Sequence, residues 1–95
     1  MVDVVDSSTL AALFRQTGAA HHRAFAAVNG ADAAWPAWYA EYLAPRLEPL
    51  LRVSLSAGEL ARDLAALDAA QRAHAPGTDW AAYYAAWFLA RYPQA

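Results

Sequence analysis

Cysteine is absent from this chain of 95 residues. That excludes disulfides, thiolate nucleophiles and Cys-ligated metal sites, and a secreted domain this small would commonly carry such staples. Lysine is absent as well: all seven basic residues are arginines, set against nine acids, for a net charge of −2 and a pI near 5.8. No nucleic-acid partner is expected, because phosphate neutralisation needs a basic patch. The uncharged apolar stretch near the end, Trp80 to Ala90, is too short to span a bilayer. The polar faces also lack the clustered cations of a membrane-surface helix. The opening residues Met1-Val2-Asp3-Val4-Val5-Asp6 lack the basic and long apolar regions of a signal peptide. The expected setting is cytoplasmic, with no membrane.

Catalytic signatures are missing too. There is no G-x-S-x-G elbow, no P-loop and no G-x-G-x-x-G. The histidines, His21, His22 and His74, form neither an H-x-x-x-H nor an E-x-x-H pair with one another or with Glu41, Glu48 and Glu59, so no metal and no cofactor is expected. Ser56 is better explained as a helix cap than as a nucleophile.

What is abundant is alanine and aromatic carbon. Hydrophobic residues reach 59% and charged residues only 17%, with four Trp and five Tyr; typical soluble domains are nearer 25% charged. Alanine covers exposed helix at little cost. The rings need somewhere to go.

Glycine and proline divide the chain into four helical segments, giving an all-α, antiparallel four-helix bundle-like domain over residues 1–95. The first helix is expected over 8–28, capped by Ser7, Ser8 or Thr9, with the stripe Leu10, Leu13, Phe14, Thr17, His21, Ala24, Phe25 and Val28 and a stop at Asn29-Gly30. Gly18 inside it implies tolerance or a closely packed neighbour. The second is expected over 35–52, with Pro36 at its first turn. It should be kinked or broken near Ala44, because Pro45 and Pro49 each remove a hydrogen bond. The third is expected over 56–74, opened by the capping box Ser56-Ala57-Gly58-Glu59, with Asp68 and Arg72 paired on its exposed side. The fourth is expected over 79–92. Short loops favour antiparallel neighbours, which sets Phe25 against Trp38, His21 against Tyr42, Leu67 near Ala86, and Leu64 near Phe88 or Leu89.

Two sets of residues are candidates for function. His21 lies on the apolar stripe, where it is either a core histidine bonded to Tyr42 or a backbone carbonyl, or a pocket residue handling a proton beside Tyr42, Tyr39, Trp38 and Glu41. The second set is the aromatic stripe Trp80, Tyr83, Tyr84, Trp87 and Phe88. Tyr and Trp are enriched at interfaces, and two-fold dimers are the commonest assemblies. The leading expectation is therefore a non-catalytic interaction module that forms a homodimer through its aromatic faces and docks a protein partner. The alternative is a small-molecule-binding or enzymatic bundle with its pocket at His21 and Tyr42. A flat aromatic pocket for a planar ligand is a further variant.

Overall fold

The computed structural model describes residues 5–93; the opening four residues, on which part of the signal-peptide reading falls, lie outside the described residues. The chain forms four helices, α1 (Ser7–Ala24), α2 (Trp35–Leu51), α3 (Ala57–His74) and α4 (Trp80–Arg91), with a single 3-10 turn at Ala26–Val28 after α1. There is no strand among the described residues, so the all-helical bundle stands. It is elongated, 45 × 28 × 21 Å.

Each helix buries one line of side chains at three- and four-residue spacing. These are Leu10, Phe14, Thr17 and His21 on α1, Ala40, Leu43, Leu47 and Leu51 on α2, Leu60, Leu64, Leu67 and Gln71 on α3, and Ala81, Tyr84, Ala85 and Phe88 on α4. A fully buried Leu or Phe contributes about 1.5–3 kcal/mol of transfer free energy, so these lines supply most of the driving force. The inward row of α2 is aliphatic; Trp35, Trp38, Tyr39 and Tyr42 flank it, half-buried. On α4 the small residues Ala81 and Ala85 lie inside with Tyr84 and Phe88, leaving Trp80, Tyr83 and Trp87 half-buried.

The pairing is only in part the one that loop length implies. α2 packs closely on its sequence neighbour α3 across the short link 52–56, but α1 packs chiefly on α4, and the neighbours α1–α2 and α3–α4 touch less. Gly18 accounts for part of this. A Cβ there would lie 3.4 Å from a Trp80 ring carbon and 3.4 Å from the Tyr39 hydroxyl, so α4 and α2 both meet α1 at Gly18, where there is room for a methyl group but for nothing larger.

Local chemistry sets the ends. The cap of α1 is Asp6, not a hydroxyl residue: its carboxylate accepts from the Thr9 amide at 2.8 Å, and a negative charge suits the positive end of the helix dipole. Ser56 caps α3 as expected, accepting from the Glu59 amide at 3.4 Å, and Asp79 caps α4. α1 stops four residues earlier than its apolar pattern suggests. The Gly30 amide donates to the Phe25 carbonyl at 2.8 Å, closing the 3-10 turn. Asn29 and Gly30 are left-handed, and Val28, with no inward-facing role, is 56% exposed.

α2 is not broken at its prolines. It runs without interruption from Trp35 to Leu51 with Pro45 and Pro49 inside it. The carbonyls these prolines leave unbonded are those of Glu41 and Pro45, four residues earlier. Glu41, Pro45 and Pro49 all lie on the exposed line of the helix, where water satisfies what the helix cannot.

Candidate functional site

His21 is the buried polar residue around which the first candidate set gathers. It is 7% exposed. Its ring stacks on Phe25 at 4.7 Å and meets Trp38 at 5.1 Å and Tyr39 at 5.3 Å. Phe25 and Trp38 face each other at 6.5 Å, as the antiparallel turn implies. The partner of His21 is neither Tyr42 nor a backbone carbonyl but Asp32, whose Oδ2 lies 3.0 Å from Nε2. An ionised carboxylate only accepts, so Nε2 carries the proton of this bond. The other oxygen of Asp32 accepts from the Ala34 amide at 3.0 Å, so one carboxylate ties α1 to the start of α2.

Of the residues expected around His21, Trp38 and Tyr39 are there. Tyr42 is taken up elsewhere: its hydroxyl accepts from Gln16 at 2.7 Å, its ring stacks on Trp38 and the Arg46 guanidinium lies 3.7 Å above it. Glu41 is exposed on the outer line of α2 and takes no part. The space around His21 is filled by rings. Thr17, the nearest buried hydroxyl residue on the same line of α1, donates to the Leu13 carbonyl, so no activated nucleophile stands beside the imidazole. The pair fastens α1 to the start of α2. No three His, Asp or Glu side chains converge in metal-binding geometry among the described residues.

The more open site lies one ring away. A cleft of about 140 Å³ is lined by Trp35 and Tyr39 of α2, Asp68 of α3, and Trp80 and Tyr84 of α4. Trp35 meets Tyr39 nearly perpendicularly at 5.1 Å, and Trp80 meets Tyr84 in the same way at 5.3 Å. Asp68 is bridged to Arg72 at 3.2 Å, the pair expected from their spacing, with Arg72 largely in water. The hydroxyls of Tyr39 and Tyr84 hydrogen-bond to no described residue. No described side-chain oxygen is both sealed and unpartnered, so neither hydroxyl is sealed from water. Burial pushes the phenol pKa of Tyr39 up, and burial together with the nearby Asp68 carboxylate pushes that of Tyr84 further up, so both stay neutral donors at physiological pH.

No family model, curated protein or solved structure matches this chain.

The second candidate set divides. Tyr84 and Phe88 are 3% and 0% exposed, inside the chain's own core, where Phe14 contacts both; they are not available to a second chain. Trp80 belongs to the cleft. Tyr83 and Trp87 border a separate groove of about 180 Å³ with Leu67, Ala66, Ala70 and Asp63, which also sets Leu67 close to its expected level opposite α4. Of the rings on α2 and α4, Tyr84 and Phe88 are buried, while Trp35, Trp38, Tyr39, Tyr42, Trp80, Tyr83 and Trp87 are half-buried in the single chain.

Sequence reasoning named Tyr39, Trp80 and Tyr84 but assigned them to two different sites. It passed over Trp35 and Asp68 as site residues. Asp32 carried a signal: an acid three residues before the Trp35-Pro36 helix start is the position of a residue that caps or turns the chain.

Proposed function

We propose that this chain is a non-catalytic, small-ligand-binding helical bundle whose binding site is the cleft between α2, α3 and α4. The observation that carries this reading is the convergence of four aromatic side chains, two of them phenols, and one carboxyl group from three helices on one open space. Ligand sites have this composition: mostly apolar and aromatic walls with a few placed polar groups. The space is near the size of an engineered cavity of about 150 Å³ that holds benzene, so it takes a small molecule or one head group of a larger one. The reading places the chain in the cytoplasm, in line with a cysteine-free composition in so small a chain.

The test is a fragment screen read by the indole N–H signals of the four tryptophans. Binding molecules should move the Trp35 and Trp80 signals and leave Trp38 and Trp87 in place. A diverse fragment set that moves neither Trp35 nor Trp80 rejects the reading.

A second reading is self-association into a homodimer, favoured by the groove between α3 and α4 with Tyr83 and Trp87 at its edge. A second copy of the chain, or a protein partner, would cover it. Solution mass decides: a monomer at high micromolar concentration removes the dimer.

A further inference from the structure

We infer that the cleft selects a compact organic cation, a quaternary or methylated ammonium group. This rests on the cleft being the ligand site and goes on to name the ligand's chemistry. Three features of the cleft converge on it.

The first is shape. In each of the two ring pairs the planes stand 77–78° apart. Within neither pair do the rings offer parallel faces for a flat ligand to enter between, and a space of about 140 Å³ suits a compact group. The second is the electrostatics of the walls. Trp and Tyr faces are electron-rich and attract ammonium groups that have shed water, and two of the four rings are Trp, the strongest of these partners. The third is charge. Asp68 is the one carboxyl group of the lining, and its partner Arg72 keeps 75% of its side chain in solvent. Such an exposed i,i+4 pair is weak, so a cation in the cleft can share Asp68 without displacing a strong bond. An anionic ligand would have to face the carboxylate from inside the cleft.

The experiment uses the full chain at low salt, with choline as the cationic probe and 3,3-dimethylbutan-1-ol as its neutral isostere, each titrated to tens of millimolar against the indole signals. Choline should move Trp35 and Trp80 and bind roughly tenfold better than the alcohol, the size of a partly desolvated cation–π preference. Asp68→Asn, which keeps the shape, should erase most of that preference. Arg72→Ala, which removes a like charge from an exposed position, should raise choline affinity a few-fold. A peptide carrying trimethyllysine runs in parallel: tighter binding than choline places the head group on a peptide, and weaker binding places it on a free small molecule; either outcome supports the cation. Equal binding of choline and the alcohol at Trp35 and Trp80 overturns the cation and leaves the cleft as a neutral site. No movement with any of the three probes overturns the cation, and the fragment screen then decides separately whether the cleft binds anything.

Discussion

Replacing Asp32 by Ala tests whether one carboxylate fastens α1 to α2. Two bonds are lost. One is the 3.0 Å contact to His21, between side chains only 9% and 12% exposed. Its loss leaves Nε2 unpaired among the rings of Phe25, Trp38 and Tyr39, which costs about 1–3 kcal/mol. The other is the bond from the Ala34 amide at the exposed start of α2, worth about 1 kcal/mol by analogy with a lost N-cap. The expected destabilisation is about 2–4 kcal/mol. For a domain of this size that is a fall in Tm of roughly 10–25 °C. The clean assay is a double-mutant cycle in urea, with His21→Phe as the second variant. Phe fills the aromatic box without needing a partner, so Asp32→Ala in that background should cost only the turn bond, about 1 kcal/mol. Equal costs in the two backgrounds would show that His21 and Asp32 are uncoupled and refute this account of the α1–α2 corner.

Alkaline stability should report the buried phenols. The folded-state pKa values of Tyr39 and Tyr84 lie above the unfolded value near 10, so stability is intact below about pH 10 and falls as pH rises beyond it; urea midpoints that stay level up to pH 11 would contradict this, and Tyr84→Phe should flatten the fall. Gly18→Ala should stabilise the protein by about 0.5–1 kcal/mol, since the helix gains propensity and the new methyl reaches only ordinary contact with Trp80 and Tyr39. Gly18→Leu should instead displace both and abolish ligand shifts at the Trp80 indole; a Gly18→Ala protein that melts lower than the parent would show the approach to be tighter than 3.4 Å.

The helices were legible because their signals are local. Period, Pro36, Asn29-Gly30 and the Ser56 cap all act within a few residues. The path of α2 through Pro45 and Pro49 was not, because whether a missing hydrogen bond breaks a helix depends on whether the freed carbonyls meet water. Here Glu41 and Pro45 are exposed residues. Helix pairing was half legible. Gly18 announced a close neighbour but could not say that the neighbours would be Trp80, sixty-odd residues on, and Tyr39. His21 was identified as a polar residue needing a partner. Its partner was missed because the length of the loop drew attention to Tyr42, while Asp32 sat in the loop itself.

The placement of the cleft follows from that pairing. α1–α4 and α2–α3 are the close pairs, so the bundle is two helix pairs laid together, and both cavities fall on the seam between them. At one end rings gather over Gly18, with Tyr39 turning its ring to His21 and its hydroxyl to Gly18 beside Trp80. Tyr39 is therefore held from both directions: the His21–Asp32 bond fixes the box behind it, and Trp80 limits it in front. A ligand in the cleft would touch α2, α3 and α4 at once, bridging the two pairs where the protein's own contacts are fewest. Its binding energy would add to the cohesion of the seam by mass action. On the proposed reading, the rings that composition alone marks as surplus serve the seam as the walls of a binding site.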